Sequence, residues 1–232
     1  MESNKLQQGK IFCKCGRDTT NLNHVLSCKK SRGRFVRHDS QVEVLNTMLR
    51  EAGVVARKEV RVIGGTQKRM DIVITLPSGE RMWIDVSVVN PEAPTYASKA
   101  TPATELRAAE KVAKWGHLAR EQGIQFIPAI IDVYGNMGAG YESLLQFIAD
   151  KAFWVAPFQH QLKGQAWKGN YVSGLRQRLS TSLAYCNFLM VEESCIGAQA
   201  GPWSGLSQHC RNAITKMYCG LKRFTSYNRS RI

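Results

Sequence analysis

The stretch that decides the fold is KRMDIVITLPSGERMWIDVSVVNP, residues 68–91. Two apolar runs flank the turn sequence PSG, which predicts two antiparallel strands at 70–76 and 82–89. Each predicted strand contains one aspartate, Asp71 or Asp85, with apolar residues on both sides. Because an unpaired carboxylate is costly in the interior of a protein, two of them in neighbouring strands indicate a site that holds a cation.

Both aspartates are predicted to lie on one face of the sheet. Side chains alternate between the faces of a strand, so Asp71 shares a face with Val73, and Asp85 shares a face with Trp83. Mg²⁺ or Mn²⁺ suits such a pair, because both ions favour oxygen ligands. A bound ion of this kind activates water and stabilises the charge that develops during phosphoryl transfer, which points to hydrolysis of a phosphate ester.

Predicted helices and strands around this hairpin complete a mixed α/β domain. The order is helix, three-strand meander, helix and strand, followed by a helical C-terminal region, and the predicted bounds are 31–53, 59–63, 70–76, 82–89, 102–122, 124–135 and 174–194. Steps of three and four residues in the first helix predict a buried stripe formed by Phe35, His38, Val42, Leu45 and Leu49. The last strand is an unbroken apolar run, as is typical of buried parallel strands.

Charged side chains on two of the helices could complete the site. Asp39 and Glu43 are four residues apart and share a face of the first helix, and one of them is expected to add a third carboxylate. Lys111 and Lys114 share a face of the helix that follows the third strand. A lysine in that position could orient or deprotonate the attacking water, or stabilise the negative charge around phosphorus.

A separate pattern within residues 11–30 predicts a structural zinc site. Cys13, Cys15, His24 and Cys28 follow the spacing C-x-C, eight residues, H-x-x-x-C. Three thiolates and one imidazole form a closed tetrahedral set, and a segment with so few apolar residues needs the ion for its stability. The N-terminal residues lack the apolar segment of a secretory signal, so the seven cysteines are expected to be reduced.

The net charge of +14 is unevenly distributed along the chain. Residues 1–70 carry +9 and residues 163–232 carry +8, whereas the segment between them carries −3. Basic surfaces bind the phosphate backbone of nucleic acids, and an acidic segment among them would repel phosphate unless cations neutralise it. No run of 18 apolar residues is present, so a membrane-spanning helix is not expected.

Three more motifs follow the zinc pattern in a fixed order. RHD stands at 37–39, KRMD stands at 68–71, and DVSVV at 85–89 contains the second carboxylate. Together with the CCHC pattern, these motifs resemble the restriction-like endonuclease domain of site-specific non-LTR retrotransposons, a branch of the PD-(D/E)XK nuclease superfamily. That family has a basic residue, proline and aspartate where this chain has KRMD, so Met70 replaces the proline.

The resemblance also implies where the catalytic lysine lies. Most PD-(D/E)XK nucleases carry a lysine two residues after the second carboxylate, and Ser87 occupies that position here. The retrotransposon branch carries its lysine on the following helix in a pattern like EKxxKY, which reads EKVAKW in this chain. Lys111 is therefore implied as the catalytic lysine and Lys114 as an accessory phosphate contact. The residues implied to bind nucleic acid are Arg37, His38, Lys68 and Arg69.

The implied function is a metal-dependent endonuclease that nicks target DNA by phosphodiester hydrolysis and so primes reverse transcription. The expected domains are a zinc knuckle at 1–30, a restriction-endonuclease-like core at 31–155 and a basic, mostly helical extension at 156–232. Since the chain has no Tyr-x-Asp-Asp polymerase motif, it is expected to be part or a remnant of a larger reverse transcriptase polyprotein. It is expected in the nucleus, bound to DNA and to the element RNA. Two alternatives stay open: a nucleic-acid-binding module with an inactive centre, and a junction resolvase or repair nuclease with the same core.

Overall fold

The computed structural model has a four-stranded sheet at its centre. The residues that it describes are 13, 15–17, 21–62, 68–155 and 166–195. They form α1 (Leu22–Ser27), α2 (Gly33–Glu51), β1 (Ala56–Arg61), β2 (Arg69–Thr75), β3 (Arg81–Val89), α3 (Ala103–Glu121), β4 (Gln125–Asp132), α4 (Ala139–Val155) and α5 (Ala166–Cys195). None of the described helices is long and apolar enough to cross a membrane.

The strands lie side by side in the order β1-β2-β3-β4. β2 is antiparallel to both of its neighbours, whereas β4 is parallel to β3. A parallel neighbour requires a crossover connection, and α3 provides it between β3 and β4. The mixed α/β domain with a C-terminal helix is confirmed, and the elements follow the predicted order.

Helices cover both faces of the sheet. α2, α4 and α5 pack on the face that presents Ile72, Ile84 and Val86, and these elements share the main apolar cluster. α3 packs on the opposite face, where Trp115 meets Trp83. β3 is therefore covered on both sides, which buries five consecutive residues, 83–87. β1 is an edge strand with mostly exposed residues.

The helix α5 is part of this core. Val172, Leu175, Leu179 and Leu183 recur at steps of three and four residues and belong to the main cluster. The apolar core therefore continues beyond residue 155 and through α5. The helix also begins at Ala166, earlier than the predicted residue 174.

The buried stripe of α2 differs from the prediction at its start. Val42, Leu45 and Leu49 are buried as predicted, but Phe35 is 70% exposed, so its predicted place in the core is wrong. Arg37 is buried instead. The reason is that the first turn of α2 lies beside α1 and α5, where Arg37 meets polar groups rather than the apolar face of the sheet.

The ends of two strands also differ. β1 begins at Ala56 rather than at residue 59, and β4 ends at Asp132 rather than at residue 135. The chain turns at Asp132 because its Oδ1 accepts hydrogen bonds from the backbone N–H groups of Tyr134 and Asn136, at 2.8 and 2.9 Å. Asp132 therefore serves as a hydrogen-bonding residue at the end of β4. Gly64 and Gly65, whose sequence predicts a hairpin turn between the first two strands, lie outside the described residues.

A close approach between α4 and β4 yields a stability prediction. A Cβ atom added at Gly140 would lie 2.1 Å from the backbone oxygen of Pro128, and a backbone atom cannot swing aside as a side chain can. We expect Gly140→Ala to lower the free energy of unfolding by about 1–3 kcal/mol, because the two elements must move apart. Urea unfolding followed by circular dichroism measures this change.

The matched control is Gly169 in α5, where an added Cβ would have no atom within 4 Å. Gly169→Ala should raise the free energy of unfolding by about 0.5–1 kcal/mol, since alanine favours the helix. If Gly140→Ala were as stable as the wild type, the close packing of α4 on β4 would be incorrect.

Candidate functional site

The pairing of β2 with β3 stops where the two aspartates lie. Ile72 and Ile84 form the last pair on that side of the register. Beyond this pair, β2 bonds to β3 through the side chain of Asp71 and not through its backbone. Oδ2 of Asp71 accepts a hydrogen bond from the backbone N–H of Val86 at 2.7 Å. Val86 directly follows Asp85, so the carboxylate of Asp71 touches the β3 backbone one residue away from Asp85.

The backbone is irregular on the other side of Asp71 as well. Glu59, between the β1 residues that pair with Met70 and Ile72, has a φ of 54°, in the left-handed region. Met70 packs with Trp83 on the α3 side of the sheet, whereas Ile72 belongs to the main cluster on the other side. The prediction that Asp71 and Asp85 share one face of the sheet rests on regular alternation of side chains along β2. That alternation fails at Asp71.

His38 of α2 approaches Asp71 from the helix side. Its Nε2 lies 3.3 Å from Oδ2 of Asp71, and its Nδ1 lies 3.1 Å from Oδ1 of Asp39. The hydrogen bond to Asp71, supported by Asp39 and opposed by burial, raises the pKa of His38 to about 9. His38 is therefore a cation at neutral pH and offsets the charge of Asp71. Among the described residues, Oδ1 of Asp71 has no hydrogen-bond donor.

Asp85 is held by α3 on the opposite face of the sheet. Lys111 Nζ lies 2.6 Å from Oδ1 of Asp85, and Trp115 Nε1 donates to Oδ2 at 2.9 Å. Lys111 and Trp115 are four residues apart, so one face of α3 presents both donors. The Asp85 side chain is 10% exposed, and the ammonium group of Lys111 offsets its charge. Ser87, which is buried two residues further along β3, offers no cation.

Two more lysines border this contact. Lys114 Nζ lies 4.5 Å from the ring centre of Trp115, and Lys68 Nζ lies 5.7 Å from it. Burial, followed by the charge of Lys111, lowers the pKa of Lys114. The neighbouring Arg69 is exposed, with Glu59 3.9 Å away. Three lysine side chains therefore lie close to Asp85 and Trp115.

The structure does not bring the expected third carboxylate to the two aspartates. The side chain of Asp39 is 77% exposed and contacts His38, whereas Glu43 pairs with Lys58 of β1. Within the described ranges, only one group of three or more histidine, cysteine, aspartate or glutamate residues could hold a metal ion, and it is the cysteine and histidine cluster of the knuckle.

That cluster consists of Cys13, Cys15, His24 and Cys28, whose ligand atoms all lie within 4.8 Å of one another. The Sγ atoms of Cys13 and Cys28 are 3.4 Å apart, and Sγ of Cys15 lies 3.1 Å from Nε2 of His24. A tetrahedral zinc ion with ligands about 2.3 Å away separates those ligands by about 3.8 Å. The four residues could therefore bind a metal such as zinc.

Local structure explains why the ligands converge. Gly16, with a φ of 82°, allows a tight turn in which its N–H donates to the carbonyl oxygen of Cys13. Asn21 caps α1 by accepting from the N–H of His24, and Cys28 follows the last residue of that helix. Burial raises the pKa of Cys28, but hydrogen bonds from the Lys30 backbone and the neighbouring thiols outweigh it, so the pKa is lowered. The pKa of Cys13 in the same cluster is raised, chiefly by its burial, so these two neighbouring thiols shift in opposite directions.

Two asparagines and one arginine join the knuckle to the core. Asn90, at the end of β3, donates to the backbone oxygen of Asn23 and to Oγ of Ser27 in α1. Arg37 donates from Nη2 to the backbone oxygen of Leu26 and from Nη1 to Oδ1 of Asn187, at 3.1 and 2.7 Å. Sequence reasoning missed both asparagines, whose only signal is a polar residue beside an apolar run.

The position of Arg37 argues against the nucleic-acid contact that the RHD motif implied. Its side chain is almost fully buried, at 3% exposure, and its guanidinium group already serves two acceptors. Burial lowers the pKa of Arg37 to about 10, so the group remains charged at neutral pH. Its role in this structure is to bind α1 to α5 through α2.

A substitution at Arg37 tests that role. Arg37→Ala should lower the free energy of unfolding by about 2–4 kcal/mol, because it leaves Leu26 and Asn187 without their donor in a buried place. Arg34→Ala, on the exposed side of the same turn, is the control and should change it by less than about 0.5 kcal/mol. Urea unfolding of both variants measures the difference. If Arg37→Ala were as stable as Arg34→Ala, Arg37 would not have this structural role.

The metal cluster predicts one zinc ion per chain in protein purified without chelator. Cys28→Ser should lose the ion and the fixed structure of the knuckle, because a serine hydroxyl is a poor zinc ligand. Cys186→Ala removes a buried cysteine of α5 instead and should retain the ion. Elemental analysis measures the zinc content. A wild-type protein without zinc would contradict the assignment.

No family model matches the chain, and no curated protein matches it.

Proposed function

We propose that this chain is a metal-dependent endonuclease that hydrolyses phosphodiester bonds in DNA. The observation that carries the proposal is the contact of Lys111 with Asp85 at 2.6 Å, next to the point where Asp71 touches β3. Two carboxylates on adjacent strands, with a lysine from the following helix, agree with the resemblance to the restriction-like endonucleases of site-specific non-LTR retrotransposons. The geometry supports Lys111 over Ser87 as the source of positive charge.

The proposed ion is Mg²⁺ or Mn²⁺, because both ions favour carboxylate oxygens. Asp71 and Asp85 would hold the ion. Oδ1 of Asp71 is open to a ligand among the described residues, and each oxygen of Asp85 keeps a second lone pair beside its present donor. When bound, such an ion would supply a Lewis acid that activates water and stabilises negative charge on phosphate.

The chain's own residues would position and neutralise the substrate. The side chain of Lys111 is 13% exposed and is held against Asp85, so its ammonium can bind a water or a phosphate oxygen at the edge of the site. Trp115 fixes the orientation of the Asp85 carboxylate. Lys68 and Lys114 border the same place and would offset the charge of the DNA backbone. His38 would hold the carboxylate of Asp71 in place.

The proposed biological setting follows from the same resemblance. Nicking of target DNA would prime reverse transcription by a larger polyprotein in the nucleus, with the element RNA as a second partner. The net charge of +14 agrees with nucleic-acid partners.

A nucleic-acid-binding module with an inactive centre is the second candidate, and two observations favour it. Both oxygens of Asp85 are already bound by donors of α3. Asp39 and Glu43 point to other partners, so the two strand aspartates lack a third carboxylate among the described residues. Such a module would bind DNA but would not cleave it.

Cleavage of supercoiled plasmid separates the two candidates. The purified chain should convert supercoiled DNA into nicked circles with Mg²⁺ but not with Ca²⁺, a substitution that spares the zinc site which a chelator would strip. Binding without nicked product under both conditions would favour the inactive module.

Substitutions then test the assigned residues. Asp71→Asn and Asp85→Asn should each abolish nicking, whereas DNA affinity should stay equal or rise slightly, because a negative charge near phosphate is removed. Lys111→Ala should lower the nicking rate at least about a hundredfold, the usual effect of losing a positioned acid–base or electrostatic group. Rates from the plasmid assay and affinities from fluorescence anisotropy measure these effects.

Arg107 provides the matched control for lost charge on α3, because it pairs with Glu110 on the exposed surface. Arg107→Ala should nick within a few-fold of the wild-type rate, and Lys114→Ala should act mainly on DNA affinity. Nicking by Asp71→Asn at the wild-type rate would refute the metal site. If both Lys111→Ala and Lys114→Ala nicked DNA at the wild-type rate, the proposal that a lysine of α3 takes part in catalysis would be refuted.

A further inference from the structure

Residues 29–36, which join the knuckle to α2 and include the first turn of that helix, present both basic and apolar side chains to solvent. The cations of this segment are Lys29, Lys30, Arg32 and Arg34, all of which are exposed. None of the carboxylates in the described part of the chain forms an ion pair with any of them. Phe35 and Val36 follow directly, with exposures of 70% and 52%. An exposed aromatic ring among exposed cations is the combination that proteins use to bind single-stranded nucleic acids.

This exposed ring lies next to the candidate catalytic site. His38 is three residues after Phe35 and four after Arg34, so the three side chains share one face of α2. Nε2 of His38 lies 3.3 Å from Oδ2 of Asp71. One helical turn, about 5 Å along the axis, therefore separates Phe35 from the residue that contacts the proposed catalytic carboxylate.

The chemistry of this surface fits an unpaired nucleobase. Phenyl rings stack on the flat face of a base, and nearby cations bind the phosphates on either side of it. In a duplex the faces of the bases are already stacked on one another, so the ring has no partner there. Asp39 also lies on this face and would repel phosphate, but its carboxylate contacts His38 at 3.1 Å. The end of the surface near Asp39 is thus suited to a neutral base.

We infer that Phe35 stacks on an unpaired base of single-stranded nucleic acid beside the bond to be cleaved, while Arg32 and Arg34 bind the adjacent phosphates. The placement beside a cleaved bond rests on the proposed endonuclease function, whereas the stacking contact itself does not. The preferred substrate then contains a single-stranded or unwound segment at the site of cleavage.

The test uses the full chain with zinc bound, in Ca²⁺, and oligonucleotides that carry 2-aminopurine as a fluorescent base. Phe35→Ala should weaken binding to a single strand by roughly 5- to 150-fold, the range for loss of one stacked base, and should abolish the change in 2-aminopurine fluorescence. Phe35→Tyr keeps an aromatic ring and should bind within about twofold of the wild type. Duplex affinity should be unchanged in both variants. DNA and RNA single strands of one sequence show which of the two the surface favours.

Wild-type affinity of Phe35→Ala for both single strands would overturn the inference. A fall of several degrees in the melting temperature of Phe35→Ala, without loss of binding, would overturn it too, because the ring would then pack against another part of the chain. If the wild type nicks plasmid but Phe35 has no effect on binding, the stacking inference alone fails. If binding depends on Phe35 but no nicking occurs, the endonuclease proposal alone fails.

Discussion

A buried carboxylate on the central strand constrains much of this structure. Asp85 lies in a strand covered by helices on both faces, where an uncompensated negative charge is costly. Lys111 and Trp115 meet that requirement from one face of α3, which fixes the rotation of this helix against the sheet. The same helix is the crossover that makes β4 parallel to β3. The position of α3 therefore determines both how the charge of Asp85 is offset and where β4 joins the sheet.

The other aspartate is compensated from the opposite side. Asp71 takes the place of a backbone partner to β3 and receives the imidazolium of His38 from α2. Its carboxylate therefore bridges α2 and β3 at the point where β2 and β3 stop pairing.

Polar contacts also determine how the knuckle sits on the core. Arg37 and Asn90 bind the backbone of α1, and Arg37 extends the connection to Asn187 of α5. Since these contacts are buried or partly buried, the knuckle has a fixed place next to the first turn of α2. That placement leaves Phe35 on the outside, one turn from His38. A structural requirement at Arg37 thus explains why an aromatic ring faces solvent beside the candidate site.

The sequence by itself determined the element order, the central strands and the set of four metal ligands, because these depend on local patterns of apolar residues, glycine and ligand spacing. Lys111 could also be proposed from the sequence as the catalytic lysine, since it shares a helix face with Lys114 and lies in the EKVAKW pattern. Only the tertiary structure decided that Arg37 is buried and Phe35 exposed, that Glu43 turns to Lys58, and that regular alternation fails at Asp71. Each of these depends on partners far away in the chain, such as Asn187 for Arg37, and no local period records such a partner.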